Sequence, residues 1–317
     1  MPNLGWRPSP GELRQRLRDH AGLDFPVLVL ADGGESGTTF LATDHSGAVS
    51  VVKILTDAEG GGGGPAGLTR LRTLVTAVRH LRDRGCPVPP VTAAGQAPGL
   101  VFWITERISG TPLESSDGHP DLEAIARFLP EIIKLNNAQA GLGAGDPQEW
   151  PDLIRRTLTS GGDGYCVHAT LDANPGTRDL LALVRRTGER FGSSVPTGND
   201  FCHYDFHPGN LMSDGVSLTG VIDVNPPVLG GDRAFDLATL LFYCQDHAAI
   251  RDALRRRLLE LAEPGVARAY LAHIALRQTD WSLRFYPNAA GTHRHLRLAE
   301  MAADDIRQIG GRIRPVV

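Results

Sequence analysis

The stretch FCHYDFHPGNLMSDGVSLTGVIDV, from Phe201 to Val224, decides the fold and the chemistry that this sequence predicts. Four of its side chains carry information through their order and spacing: His203, Asp205, Asn210 and Asp223. Taken singly, each has an ordinary explanation, because a lone histidine is more often a structural group and an aspartate at a strand end is often a cap. The order of the four, with a turn between the last two, argues against four separate explanations.

The second half of this stretch predicts a β-hairpin. Residues Asn210 to Ser213 read as a short strand, Asp214-Gly215 as the turn, and Val216 to Val224 as the returning strand. Such a hairpin carries Asp223 back beside Asn210. Two oxygen ligands that are distant in sequence can then share one cation.

This arrangement is typical of kinase-type phosphoryl transfer. The reaction needs a carboxylate that orients and deprotonates the attacking hydroxyl, and Asp205 is the candidate for that catalytic role. It also needs oxygen ligands for the Mg²⁺ that neutralises the nucleotide phosphates, and Asn210 and Asp223 are the candidate metal ligands. The sequence therefore predicts a phosphotransferase that uses ATP (or GTP) and Mg²⁺.

The segments HYDFHPGNLM, VIDV and GDRAFDLATL resemble the aminoglycoside phosphotransferase and choline kinase family, whose usual motifs are H-G-D-x-H-x-G-N, I-D and G-D-P-x-x-D. The run His207-Pro208-Gly209 fits this small-molecule family better than it fits protein kinases. The resemblance implies an α+β, two-lobed protein-kinase-like fold. Residues 1–107 would form the nucleotide-binding lobe and residues 108–317 a larger, mostly helical lobe for catalysis and acceptor binding.

The residue pattern of the first lobe predicts an antiparallel five-stranded sheet and one main helix. The expected strands are 27–31, 40–43, 48–55, 91–94 and 100–105, and the helix covers 66–84. A glycine-rich turn joins the first two strands. Its sequence does not match the G-x-x-x-x-G-K-[ST] motif of phosphate-binding loops. By resemblance, nucleotide binding falls to the side chain of Lys53, to the turn residues and to backbone groups at the hinge: Ser36, Gly37, Thr38, Thr105 and Arg107.

Lys53 lies in an apolar strand, where an unpaired ammonium would be costly to bury. In kinases a glutamate of the main helix holds this lysine, but residues 66–84 contain no glutamate. Either Glu59 reaches Lys53 or the lysine is held in another way. The gap leaves a non-catalytic nucleotide-binding protein, a pseudokinase, as an alternative.

The second lobe is expected to be helical, and its aspartates have different expected roles. Asp232 is placed to cap the helix 234–244. By resemblance, Asp236 and His203 brace the catalytic loop. Four acidic residues near the C-terminus could line a site for a cationic acceptor, although such residues more often form a solvated face: Asp280, Glu300, Asp304 and Asp305.

Composition limits the partners. With 41% apolar residues and a net charge of −4, the chain reads as a soluble globular protein without the basic stripe that nucleic acids require. Residues 1–107 carry 11 basic and 10 acidic side chains, whereas residues 108–317 carry 21 and 26, which suits a cationic acceptor. Four scattered cysteines indicate a reducing compartment rather than disulfides or zinc.

The N-terminus has no apolar run and no stretch has transmembrane length, so we expect a cytoplasmic protein, a monomer or weak dimer, with neither nucleic-acid nor membrane partners. The partner is a small molecule with a hydroxyl. The favoured acceptor is a cationic antibiotic, either an aminoglycoside or a basic peptide, whose phosphorylation gives resistance. A metabolic kinase acting on choline, a sugar, homoserine or an amine is the alternative within this class.

Overall fold

A computed structural model of the chain describes residues 8–31, 38–56, 65–115, 118–144, 146–162, 165–191, 196–224 and 230–309. The chain divides into two compact units. The first comprises Met1–Ser109 together with Thr219–Pro227, and the second comprises Gly110–Leu218 together with Val228–Val317. The second unit is therefore interrupted by a short segment that returns to the first.

The first unit contains the predicted antiparallel sheet of five strands, in the order β1-β2-β3-β5-β4. This confirms the fold expected for the N-terminal part. Its strands are β1 (Val27–Leu30), β2 (Thr39–Thr43), β3 (Val49–Thr56), β4 (Val91–Ala97) and β5 (Leu100–Glu106), and its helices are α1 (Pro10–Ala21) and α2 (Pro65–Asp83). Strand β3 is central, pairing Lys53 with Thr39 on one side and with Trp103 on the other.

Helix α1 closes one face of this sheet. Ser9 and Glu12 form a capping box, in which the Ser9 hydroxyl accepts from the Glu12 N–H and the Glu12 carboxylate accepts from the Ser9 N–H. Leu13 and Leu17 are fully buried. They belong to the same apolar cluster as Phe40 of β2 and other side chains of the sheet. The amphipathic face of α1 therefore completes the core of the first unit.

The second unit is mostly helical, as the sequence predicts. Its helices are α3 (Leu122–Ala138), α4 (Glu149–Ser160), α5 (His168–Ala173), α6 (Arg178–Phe191), α7 (Ala234–Tyr243), α8 (Ala248–Leu261), α9 (Pro264–Phe285) and α10 (Ala290–Gln308). Two short strands of this unit, β6 (Thr111–Pro112) and β7 (Leu211–Ser213), pair in an antiparallel manner. A further strand, β8 (Leu218–Val221), begins at Leu218, the last residue before the chain enters the first unit.

Helix α9 is the central element of the second unit and packs against α4, α5, α6, α7 and α10. Most of its residues are buried, including polar ones such as Arg277, Gln278 and Asp280. Within the described parts of the chain, neither α9 nor any other helix has the length and apolar character needed to cross a membrane. Polar side chains buried this deeply require partners, so we expect Arg277, Gln278 and Asp280 to make interactions inside the protein.

Both predicted ends of the returning strand of the hairpin are wrong for local reasons, and the strand predicted over 91–94 extends to Ala97. The returning strand was expected over Val216 to Val224, but β8 covers only Leu218–Val221. At its start, the Asp214 carboxylate accepts the N–H groups of Val216 and Ser217 and keeps them in the turn. Beyond its end, Asp223 has a left-handed backbone with φ of 64°. Aspartate tolerates this conformation better than most residues, and it cannot continue a strand.

Replacing Leu17 by alanine tests the packing of α1 on the sheet. The substitution leaves a cavity in a fully buried site, so we expect the first unit to lose about 2–5 kcal/mol of stability. Hydrogen exchange of the amides in β1 to β5, followed by mass spectrometry, measures the loss. Val29→Ala on β1, where the valine is 47% exposed, should change stability by less than about 0.5 kcal/mol. Equal effects of the two substitutions would contradict this packing.

Candidate active site

A buried carboxylate, that of Asp236 at the start of α7, holds the predicted catalytic loop. The side chain is completely buried. One oxygen accepts the backbone N–H of His203 at 2.8 Å and the side-chain amide of Gln139 at 2.8 Å. The other accepts the backbone N–H of Tyr204 at 2.9 Å. The aspartate thus fixes the two residues that immediately precede Asp205.

These hydrogen bonds offset only part of the cost of burial, and the pKa of Asp236 stays above its ordinary value. Burial raises the pKa of Asp236, while the His203 side chain and the N–H donors act in the opposite direction. Gln139 is itself positioned by the side-chain amide of Asn136 at 2.8 Å. Both oxygens of Asp236 accept hydrogen bonds from the loop or from Gln139. The brace is a connected buried network rather than a single bond.

Tyr204 stands where the family motif has glycine, and the structure shows how a tyrosine is accommodated. Its backbone has φ of 69°, in the left-handed region that glycine favours. The ring stacks on Phe235 with centroids 5.2 Å apart and planes within 6° of parallel. Its hydroxyl lies 3.4 Å from Nε2 of His273. The packing of the side chain offsets the backbone strain.

A second polar network involves Trp150 and Tyr270, whose rings pack edge-on against the same Phe235 ring. The Trp150 indole N–H donates to the Tyr270 hydroxyl at 3.1 Å, and that hydroxyl donates to the Asp232 carboxylate at 2.8 Å. The other Asp232 oxygen accepts the Ala234 N–H at 2.9 Å, at the start of α7. The N-cap of α7 is Arg233, which makes no side-chain cap hydrogen bond, so the cap predicted at Asp232 lies one residue too early. Asp232 instead binds the first N–H of α7 and, through Tyr270 and Trp150, ties this helix to α9 and α4.

Asp205 follows directly after Tyr204, and its side chain is 43% exposed, unlike the buried groups around it. Its Oδ1 accepts from Nη2 of Arg277 at 2.9 Å. Its Oδ2 faces Nε2 of His207 at 3.7 Å, and the other ring nitrogen of His207 lies 3.3 Å from the Glu114 carboxylate. Burial opposes a charged imidazole, but the carboxylates of Asp205 and Glu114 outweigh it and raise the pKa of His207.

Asn210 ends a short 3₁₀ turn, Pro208–Asn210, that closes the loop. Its side-chain nitrogen donates to the carbonyl of Asp205 at 2.9 Å, which leaves the side-chain oxygen for a cation. Among the residues that the structure describes, no three His, Cys, Asp or Glu side chains cluster to hold a metal. The amide of Asn210 and the carboxylate of Asp223 are hard oxygen donors, and Mg²⁺ commonly takes only one or two protein ligands besides phosphate and water. Each donor is of a type that Mg²⁺ accepts, and their joint role as metal ligands stays a prediction.

Lys53 and Asp223 both belong to the first unit, and their side chains form an ion pair. The segment that carries Asp223 is held there by the Val221 N–H, which donates to the Pro87 carbonyl at 3.0 Å. The lysine is thus held in another way than through a helix glutamate. Glu59, the other predicted partner, lies outside the described residues, so its part in the prediction stays untested.

The remaining predicted nucleotide contacts are placed only in part. Ser36 and Gly37 fall outside the described residues. The carbonyl of Thr38 accepts the Ile54 N–H at 3.0 Å, which ties the end of the glycine-rich turn next to Lys53. Thr105 is buried within β5, and Arg107 is exposed just after this strand ends. All of these nucleotide contacts remain predictions.

The four C-terminal acidic residues divide into two groups. The Asp280 carboxylate is fully buried and accepts from the Val167 N–H at 2.9 Å and from Arg284 at 2.7 Å. Asp305 is also buried and accepts from Gln245 and Arg255, each at 3.0 Å. These two are internal, which their sequence context did not reveal. Glu300 and Asp304 line a surface cleft between α6 and α10.

Sequence reasoning missed two side chains at the predicted catalytic loop: Arg277, which contacts Asp205, and Glu114, which contacts His207. Arg277 directly follows the largely apolar run 269–276 of α9, and a charged residue at such a position is a signal that could have been noticed. Glu114 follows the hinge in a polar run that gives no comparable signal. Both meet the catalytic loop only through the tertiary fold.

The fold defines the class of protein. A thermostable mutant of aminoglycoside phosphotransferase APH(4)-Ia is similar with a TM-score of 0.62 at 21% sequence identity, covering 94% of this chain and 99% of that one. The same protein has been solved in a ternary complex with ADP and hygromycin B. The amicoumacin kinase hAmiN is similar with a TM-score of 0.53 at 12% identity, covering 84% of this chain and 85% of that one. The fold is that of the protein-kinase-like small-molecule kinases.

The family follows from the sequence match. Residues 27–271 match the phosphotransferase enzyme family, and the chain belongs to this family. It is also similar to the hygromycin-B 4-O-kinase of Escherichia coli, at 25% identity over 219 residues that make up 65% of this chain and 63% of that enzyme. The match therefore spans less than two thirds of that relative's length.

Two substitutions at Tyr204 test the strained backbone. Both Tyr204→Gly and Tyr204→Ala lose the stacked ring and should cost about 3–5 kcal/mol. The glycine variant should be more stable than the alanine variant by about 1 kcal/mol, because alanine keeps the strain of a positive φ. At the exposed position Arg256 in α8 the order should reverse, with alanine favoured by about 1 kcal/mol. Urea denaturation measures all four variants, and alanine favoured at both positions would contradict the strain.

His273 predicts a contribution to acid instability. Burial beside the Arg277 cation lowers the pKa of His273 to about 3, against about 6.5 in the unfolded chain. Below pH 6.5, His273 binds a proton in the unfolded state but not in the native state. The free energy of unfolding therefore decreases as the pH falls. Between pH 7 and pH 5 this amounts to about 2 kcal/mol. His273→Phe should remove that part of the loss in urea denaturation, and an unchanged pH dependence would contradict it.

Proposed function

We propose that this protein is a kinase that transfers the γ-phosphoryl group of ATP or GTP to a hydroxyl of a cationic antibiotic, an aminoglycoside or a basic peptide, and so gives resistance. The observation that carries the proposal is the setting of Asp205. Its carboxylate is 43% exposed, while the backbone before it is fixed by buried hydrogen bonds to Asp236. An accessible carboxylate on a rigid loop is what a base for a small hydroxyl acceptor requires.

The reaction assigns one task to each predicted residue. The acceptor oxygen forms a bond to the γ-phosphorus while the bond to the β–γ bridging oxygen breaks and ADP leaves. The hydroxyl proton passes to the carboxylate of Asp205, which later releases it to water. Lys53 binds the nucleotide phosphates, and the turn at Ser36, Gly37 and Thr38 covers them. Backbone groups at Thr105 and Arg107 hold the adenine.

Asn210 and Asp223 would hold Mg²⁺. When bound, Mg²⁺ neutralises the charge of the phosphate oxygens. The ion pair between Lys53 and Asp223 brings the two side chains together in the first unit. When nucleotide and metal bind, Lys53 would contact the phosphates and Asp223 would contact the metal, in place of their contact with each other.

The acceptor is proposed from charge and from similarity. Residues 108–317 carry five more acidic than basic side chains, which favours a polycation. Similarity to the hygromycin-B 4-O-kinase supports an aminoglycoside among the cationic antibiotics. A metabolic alcohol such as choline or a sugar remains the second acceptor class, and an acceptor panel separates the two.

Asp205→Asn tests the proposed base. The substitution keeps the size of the side chain but removes the proton acceptor, so turnover should fall by about 10²–10⁴-fold. Nucleotide affinity should stay within a few-fold, because Lys53 and the turn are unchanged. A coupled ADP-release assay measures turnover, and a thermal-shift titration with Mg·ATP measures binding. Asp252→Asn, an exposed aspartate in α8, is the matched control and should behave as wild type.

The same measurements decide between the alternatives. Undiminished turnover in Asp205→Asn would show that Asp205 is not the base. Nucleotide binding by the wild type without a phosphorylated product, across aminoglycosides, basic peptides, macrolides and metabolic alcohols, would favour the pseudokinase. Product formed only with metabolic alcohols would overturn the antibiotic as acceptor while keeping the kinase.

A further inference from the structure

Arg277 of α9 makes three contacts with the two residues at the centre of the catalytic loop. Its Nη2 donates to Oδ1 of Asp205 at 2.9 Å, and its Nη1 donates to the backbone carbonyl of Tyr204 at 2.6 Å. Its guanidinium carbon lies 4.7 Å from the centroid of the Tyr204 ring. The side chain is only 8% exposed. The guanidinium therefore spans the strained residue and the proposed base at once.

A buried cation at this position would be unfavourable without a partner. Burial alone would lower the pKa of Arg277, but the Asp205 carboxylate acts together with Tyr204, Tyr243 and Cys166 to raise that pKa, so the guanidinium stays charged. Breaking such a pair leaves an uncompensated buried charge. The pair is consequently a fixed feature of the loop and not a fluctuating surface contact.

The contacts distinguish the two oxygens of Asp205. Oδ1 is engaged by Arg277. Oδ2 faces His207, whose Nε2 is 3.7 Å away, which is longer than a hydrogen bond. The oxygen that lacks the arginine contact is the one with room for the acceptor hydroxyl.

We propose that Arg277 is a positioning residue for the phosphoryl transfer described above: it holds Oδ1 of Asp205 and the carbonyl of Tyr204, so that Oδ2 takes the acceptor proton. This inference rests on the proposed kinase function. Arginine beside a carboxylate does not make it a stronger base. Its benefit lies in geometry, because phosphoryl transfer depends strongly on the positioning of the reacting groups.

The fork of the guanidinium is essential to this role. Two different nitrogens serve two acceptors on adjacent residues, and the planar group also packs on the Tyr204 ring. The single nitrogen of lysine keeps the charge but does not reproduce this geometry. Charge retention and geometry can therefore be tested separately with Arg277→Lys and Arg277→Ala.

Arg294 in α10 provides a matched control. It is equally buried, at 3% exposure, and it also donates to one backbone carbonyl, that of Tyr243, at 2.8 Å. It pairs with one carboxylate as well, that of Asp246, at 3.7 Å. None of these contacts involves Asp205. Arg294→Lys and Arg294→Ala therefore measure the cost of losing a buried arginine that does not touch the loop.

The experiment measures kcat and KM with the acceptor on which the wild type is active. Both Arg277 variants should lose about 10²-fold in kcat, the effect of misplacing a reacting group by about 1 Å, with the KM for nucleotide within a few-fold of wild type. Guanidinium chloride should restore kcat of Arg277→Ala in a saturable manner, while methylammonium chloride should not. The Arg294 variants, corrected for the folded fraction, should keep wild-type kcat without any effect of guanidinium.

Wild-type kcat in Arg277→Lys, or an equal loss without guanidinium rescue in the Arg277 and Arg294 variants, would overturn the positioning role. The proposed function is judged separately, by whether the wild type phosphorylates any acceptor. A crystal structure of Arg277→Ala gives a readout independent of turnover. Displacement of the Asp205 carboxylate and of the Tyr204 carbonyl from their wild-type positions is expected, and unchanged positions would overturn the inference.

Discussion

The buried carboxylate of Asp236 is the interaction on which the rest of the site depends. It receives the backbone N–H groups of His203 and Tyr204, and a loop without regular secondary structure would otherwise leave these donors unsatisfied inside the protein. Such groups cost about 1–3 kcal/mol each when they lack a partner. The loop can therefore run through the core of the second unit only because α7 brings this carboxylate to it.

A second charged group completes the restraint from the opposite side. Arg277 of α9 engages the carbonyl of Tyr204, and Asp236 of α7 engages its N–H. Both backbone polar groups of one strained residue are thus fixed by buried side chains from two helices. Asp205 comes next in the chain, so the backbone that orients its carboxylate is already fixed in the protein without a ligand. The aromatic packing of Tyr204 on Phe235 adds to this rigidity.

Much of the fold was accessible from the sequence, because periodicity reports on burial. The apolar strands and the apolar stripes of the helices predict the five-stranded sheet and the helical second unit. The motif around Asp205 predicts the catalytic loop. The strand that ends at Val221 was overestimated, since the turn held by Asp214 and the left-handed backbone of Asp223 depend on local hydrogen bonds and conformation.

The contacts of Arg277, Glu114 and Lys53 could not be predicted from the sequence. Each joins residues far apart in the chain, such as Lys53 with Asp223, and no local pattern encodes such a pairing. The sequence shows that Lys53 lacks a helix glutamate, but only the fold shows which carboxylate replaces it. Tyr204 is an intermediate case, because its departure from the family glycine is visible in the sequence while its compensation by Phe235 and Arg277 is not.

The most direct measurement for the central claim is ³¹P NMR of the wild-type protein with Mg·ATP and hygromycin B. A site built around a fixed, accessible Asp205 carboxylate predicts a new phosphomonoester resonance that grows together with ADP. ATP consumption that yields only inorganic phosphate, or no consumption with hygromycin B or any other hydroxyl acceptor, would contradict it.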